Sequence, residues 1–255
     1  MKIAKDNSTP ANTPRSFTFN SAVPVASVGT VEREVDAALQ VQVFIPDGTW
    51  IEPGQVVLEV SGSSQSILKA ERLVLNCMQR MSGIATYTRS LVLILEGTRA
   101  KLLDTRKTTP NFRLAEKWAC KIGGAVNHRY GLFDMILIKD NHVDFAGGIK
   151  QALEKSFAYN KTLASPLAIE IEVRNETELD EVLAIGGVQR IMLDNFTPDR
   201  LRDAIRKING RFITEASGGI TEKTLRAYGE TGVDYISVGA LTHQVKSLDL
   251  SLKAK

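Results

Sequence analysis

From residue 101 onward, short apolar runs alternate with helical stretches, and this rhythm narrows the choice of fold more than any other feature of the chain. The strand-like runs are KLLDT (101–105), MILIK (135–139), LAIEIEV (167–173), RIMLD (190–194), RFITEAS (211–217) and DYISVG (234–239), with a shorter one at AVNH (125–128). Helical patterns fill the gaps, among them NETELDEVLAIG (175–186) and TEKTLRAYGETG (221–232). Strands that alternate with helices run parallel, because each crossover helix carries the chain back to the starting edge. Six or seven such units point to a parallel βα barrel, with a doubly wound open sheet as the alternative.

The runs start apolar and finish polar. Their ends carry Arg106 and Lys107, His128 and Arg129, Lys139 and Asp140, Glu172, Asp194, and Glu215 to Ser217. In a barrel all of these open onto one face, where such folds place their chemistry. Within AIEIEV, Ile169, Ile171 and Val173 share one side, and Glu170 and Glu172 share the other, which faces the barrel interior. Buried carboxylates need cations, a metal or hydrogen bonds. Glu172 and Asp194 on nearby strands could hold Mg²⁺ through water, accept ribose hydroxyls, or pair with neighbouring Arg and Lys. Two late glycine loops, ASGGI and SVGAL, have backbone amides suited to a phosphate. Four formal cations and an imidazole exceed what one phosphate needs, so the expected ligands carry several negative groups.

The front of the chain is different. LQVQVFIPDGTWIEPGQVVLEV (39–60) alternates around PDG and EPG turns and reads as short antiparallel strands. It resembles a lipoyl-type hairpin, but no lysine occupies the turn. From Ser66 the pattern is helical, with Arg72, Asn76 and Gln79 forming a polar stripe that faces water or a partner; Gly83 is expected to split this stretch into two helices. Residues 1–16, rich in Ser, Thr, Asn and Pro, are expected to be disordered.

Composition excludes several classes. A net charge of +3 is too small to argue for nucleic acid, and no apolar run is long enough to span a bilayer. Nor does the polar start read as a signal peptide. Cys77 and Cys120 in apolar surroundings read as reduced thiols, and His128, His142 and His243 lack zinc-ligand spacing. A cytoplasmic location is expected.

Taken in order, AERLVLNCMQRMSGIAT, DTRKTTP, GGAVNHRYGLFDMILIKDNH, IEIEV, IMLDN, EASGGI and TGVDYISVGALTH closely resemble quinolinate phosphoribosyltransferase, from about residue 50 to the end. The resemblance implies transfer of phosphoribose from 5-phosphoribosyl 1-pyrophosphate to quinolinate with Mg²⁺, releasing pyrophosphate and CO₂ and giving nicotinate mononucleotide. It also implies a homodimer or a hexamer of dimers. By motif position, Arg106, His128, Arg129 and Lys139 bind quinolinate, and Arg72 reaches a neighbouring subunit's substrate. Lys107, Glu172 and Asp194 face the donor and its metal, with Lys139, Glu172 and Asp194 as the catalytic set. Ser217, Gly218, Gly219 and Gly239 hold the 5-phosphate. The expected layout is a shortened α+β sandwich at 1–82 used in dimerisation, a barrel at 83–240, and a tail at 241–255 packing back on the sandwich. Two departures stand out: the family's opening helix and strands are not visible in residues 1–38, and Asn111 replaces the glycine usual after DTRKTTP. Rival readings are the related molybdenum-transport-associated pyrophosphorylase-like protein, a Schiff-base aldolase using Lys107 or Lys139, and a non-catalytic phosphometabolite sensor.

Overall fold

The computed structural model describes residues 2–5, 19–21 and 34–254, and side chains from residue 34 onward. Two compact units emerge: residues 1–90, 108–125 and 240–255 form one, and residues 91–107 and 126–239 the other.

In the first unit, strands β1 (Lys2–Lys5), β3 (Gln40–Val43), β5 (Val56–Ser61) and β12 (Leu250–Lys253) form an antiparallel sheet in the order β12-β1-β5-β3. A separate pair joins β2 (Phe19–Ser21) to β4 (Thr49–Ile51). The turns at PDG and EPG do break the run, each with its glycine at positive φ. Helix α1 (Ser64–Ile94), which is followed in this unit by α2 (Arg113–Ile122), lays Ala70, Val74, Leu75 and Met78 on Val57 and Leu58 of β5 and Leu250 of β12. Their spacing is the i, i+4, i+5, i+8 stripe of a helix with one buried face.

Three expectations fail here. Residues 2–5 are not disordered but form β1, held between β12 and β5; residues 6–16 lie outside the described residues. Together β1 and β2 supply strands not legible in residues 1–38, because each is only three or four residues long. Gly83 does not split the helix, since α1 runs through it unbroken. A Cβ at Gly83 would lie 2.1 Å from the Lys246 carbonyl oxygen, so this glycine admits a crossing backbone.

The second unit holds β6 (Lys101–Leu103), β7 (Ile136–Ile138), β8 (Ile169–Val173), β9 (Arg190–Asp194), β10 (Ile213–Ser217) and β11 (Tyr235–Ser237) in one all-parallel sheet ordered β6-β11-β10-β9-β8-β7. AVNH forms no ladder; it contributes a single bridge, Val126 to Leu103, on the other flank of β6. In a flat sheet this bridge would lie five strand spacings, about 24 Å, from β8. Yet the His128 imidazole lies 3.1 Å from Glu170 of β8. Only a sheet rolled on itself brings them together, so the fold is a barrel and not a doubly wound open sheet. Helices α3 (Asp140–Ala146), α4 (Ile149–Thr162), α5 (Glu176–Ile185), α6 (Pro198–Ile208) and α7 (Glu222–Gly229) fill the crossovers. Asn175 and Thr197 cap α5 and α6 by accepting the N–H groups of Glu178 and Arg200.

Candidate active site

Parallel strands share one C-terminal edge, and this edge carries Arg106, Lys107, His128, Arg129, Lys139, Glu172, Asp194, Ser217, Gly218, Gly219 and Gly239, all in the second unit. Two groups form there at different depths.

The outer group surrounds Glu172. Its carboxylate lies 3.8 Å from the Lys139 ammonium and accepts the backbone N–H of Asp140. Burial, and then the charge of Asp194, push the Glu172 pKa up. Burial likewise raises Asp194, opposed by the Lys139 and Lys107 charges and by the Asn195 amide, whose Nδ2 donates to Asp194 Oδ2 at 2.5 Å. Two partly desolvated carboxylates therefore share too little positive charge, a deficit that a hard divalent cation with oxygen ligands would fill. Lys139 is aimed by its backbone: its N–H donates to Nδ1 of His142 at 2.9 Å, as α3 begins.

The inner group lies beneath. His128 Nε2 stands 3.1 Å from Glu170 Oε2 and 3.4 Å from Glu215 Oε2, and Arg190 Nη1 lies 2.9 Å from Glu215 Oε2 and 3.9 Å from Glu170 Oε2. Arg190 also stacks on the Tyr235 ring at 4.7 Å. Burial works against charge on His128, but Glu170 and Glu215 outweigh it and draw the imidazole pKa up to about 9. The backbone opposes that second proton. Arg129 N–H donates to Nδ1 at 2.7 Å, and an imidazolium would set two N–H groups against each other. The geometry favours a neutral ring with its proton on Nε2 and one further proton shared by the carboxylates. Glu170 is its place, because burial and the Glu215 charge lift that carboxyl to about 7, whereas His128 and Arg190 overcome burial and hold Glu215 low. With Arg190 the cluster is then neutral.

His128 therefore has Nδ1 accepting the Arg129 N–H and Nε2 lying between Glu170 and Glu215. Arg129 rises beside it, half-buried, and its pKa is lowered first by burial and then by the Arg106 charge, which places the two guanidiniums together. Asp134 folds the intervening loop by accepting the N–H groups of Tyr130 and Gly131 at 2.6 and 2.9 Å. Lys107 is exposed and Arg106 half-buried.

The glycine loop is tight. Gly218, at φ 96°, leaves no room for a Cβ, which would meet Asn195 Oδ1 at 2.2 Å; Asn195 N–H donates to Ser217 O at 2.8 Å. Gly219, at φ 61°, borders open space, so its backbone can be approached by a ligand. Asn111 also has positive φ, 60°, a conformation asparagine tolerates better than most residues, so the departure from glycine is accommodated.

The polar stripe of α1 divides. Arg72 and Asn76 are exposed, whereas Gln79 is partly buried and its Nε2 donates to Leu250 O at 2.8 Å, a structural tie within the first unit. The sequence alone did not single out Asp104, Asp134 or Arg190 as participants, and it marked Glu215 only as one of the polar strand ends. The available signal was a charged pair, Arg190 and Glu215, at inward positions of successive strands.

A βα barrel with cations, paired carboxylates and a glycine loop on one rim defines a class: enzymes that act on polyanionic, phosphorylated substrates. Comparison with known proteins narrows it. Residues 84–253 match the quinolinate phosphoribosyl transferase C-terminal domain, and residues 11–82 match its N-terminal domain. A mitochondrial quinolinate phosphoribosyltransferase [decarboxylating] 2a from Nicotiana tabacum is 44% identical over 243 residues, covering 90% of this chain and 69% of that protein. A probable nicotinate-nucleotide pyrophosphorylase [carboxylating] from Bacillus subtilis is 46% identical over 206 residues, covering 81% and 70%. The crystal structure of NadC from Streptococcus pyogenes superposes with a TM-score of 0.88 at 36% identity, covering 99% of this chain and 84% of that one. The chain belongs to the quinolinate phosphoribosyltransferase family.

Proposed function

We propose that this chain transfers phosphoribose from 5-phosphoribosyl 1-pyrophosphate to the ring nitrogen of quinolinate, with loss of CO₂ and pyrophosphate. The observation that carries the reading is the rim, where Lys139 stands 3.8 Å from Glu172 and beside Asp194, and Arg106 and Arg129 stand together on the same edge. The guanidiniums suit the two carboxylates of the pyridine, which they can grip bidentately. Glu172 and Asp194 would face the ribose carbon as it gathers oxocarbenium-like positive charge. Ser217, Gly218, Gly219 and Gly239 are the proposed cradle for the 5-phosphate, and Lys107 the cation nearest the pyrophosphate. Glu172 and Asp194 would hold Mg²⁺, which when bound supplies positive charge to the leaving pyrophosphate. Arg72, exposed on α1, is assigned to a second subunit's site in a homodimer, alone or in a hexamer.

Lys139 lies beside Glu172, the reverse of the apolar or cationic surroundings that free an amine for Schiff-base chemistry, so the aldolase reading is not favoured. Among the described residues no helix is long and apolar enough to cross a membrane; the cytoplasm is the proposed location. The direct test is CO₂ release from carboxyl-labelled quinolinate. Release that requires both the phosphoribosyl donor and Mg²⁺ is expected, and no release with all three components present rejects the function.

A further inference from the structure

Below the rim lies a set of charged residues with no role in the reaction as described. Glu170 and Glu215 are completely buried, His128 nearly so, and Arg190 mostly. His128, Glu170 and Glu215 offer atoms within 4.8 Å of one another, a spacing a metal could bridge. A divalent cation would have to expel the Arg190 guanidinium, already 2.9 Å from Glu215 and stacked on Tyr235, so the cluster is better read as complete in charge. What it encloses is one edge of an imidazole. The opposite edge faces the backbone of Arg129, where Nδ1 accepts the N–H at 2.7 Å, and the His128 backbone N–H is fixed by Asp104 Oδ1 at 2.8 Å.

We propose that Glu170, Glu215 and Arg190 are positioning residues, which lock the His128 ring so that it fixes the backbone from which Arg129 reaches quinolinate. The proposal rests on the reading that Arg129 grips quinolinate. The chain of cause has three links. Buried carboxylates set the ring's rotation, because only one ring orientation puts Nε2–H between them. That orientation turns the bare Nδ1 to the Arg129 N–H. The bond then limits where the half-buried guanidinium can go, and a misplacement of about 1 Å can cost a bound, oriented substrate on the order of a hundredfold.

Charge alone predicts no loss. Glu170 carries the cluster's proton in this arrangement, so replacing it removes no negative charge from beside Arg129. Titration calorimetry of Glu170→Leu and Glu170→Gln separates the two. Positioning predicts that Glu170→Leu weakens quinolinate binding about tenfold or more. Glu170→Gln, which keeps an amide oxygen within reach of Nε2, returns to within about threefold of wild type. Donor binding stays within about twofold in both, given that Glu172, Asp194 and the glycine loop are untouched. Unchanged or tighter quinolinate binding by Glu170→Leu overturns the proposal. So does an equal loss for both ligands together with a fallen thermal midpoint, the mark of a merely structural role. Failure of wild type to bind quinolinate would reject the function and is distinguishable at once. Should Glu170→Leu not fold, ¹⁵N spectra of the wild-type histidines decide: His128 is expected with Nε2 protonated and Nδ1 bare at neutral pH, and a protonated Nδ1 contradicts the scheme.

Discussion

Glu170 and Glu172 occupy one face of one strand, two residues and therefore about 7 Å apart, yet they live in opposite surroundings. Glu170 is enclosed at the inner level, where Arg190, His128 and Glu215 settle its charge within the protein. Glu172 is the last inward carboxylate before the rim, with Lys139 at 3.8 Å and Asp194 adding a second negative charge. One level is balanced and closed; the next is left short of positive charge and open to a ligand. A barrel strand can thus use the same residue type as structure and as chemistry by moving a single rung.

The largest expected break in that contrast is in turnover. Glu172→Gln and Asp194→Asn should each lower kcat by about a hundredfold to a thousandfold while quinolinate affinity holds, since they remove charge stabilisation realised in the transition state. Steady-state CO₂ release with calorimetry in parallel checks it, and a loss confined to KM would place both residues in ground-state binding instead. Next in size is Arg190→Leu. Stripping the inner cluster of its cation leaves the buried Glu215 charge uncompensated and should cost about 3 kcal/mol of unfolding free energy, measured by denaturant titration. A loss below about 1 kcal/mol would mean that water already reaches the cluster.

The smallest effect sharpens the outer half. The folded pKa of Glu172 is raised, so this group costs stability when it is charged in both states, above that pKa, and costs nothing once protonated in both, below its unfolded value. Glu172→Gln should therefore raise the thermal midpoint slightly at neutral pH, by about 1–2 °C, and the gain should fade as the pH falls through the carboxylate range. A gain that persists below pH ~4 would assign it to packing.

Much of this was legible from residues alone, for local reasons. Strands β8, β9 and β10 are five-residue runs, β8 with period-two alternation, and their polar ends marked the rim. Short elements were not legible. β1 is only a four-residue strand whose partners, β12 and β5, come from far along the chain, and AVNH yields one bridge because the chain leaves the sheet at Asn127. Gly83 misled because a glycine that admits a crossing backbone looks the same in sequence as one that ends a helix. The inner cluster was half visible. The glutamate pair of IEIEV faced inward as its alternation required, but Glu215, paired with Arg190, meets His128 only after the sheet rolls up, a contact no sequence window contains.

One measurement tests the placement of the reaction most directly: a crystal structure with the phosphoribosyl donor and phthalate, a diacid shaped like quinolinate that lacks the nitrogen to be ribosylated. The two carboxylates should lie against Arg106, Arg129 and Lys139, with the 5-phosphate at Ser217 to Gly219. A diacid bound elsewhere on the protein, with this rim unchanged, would contradict the account.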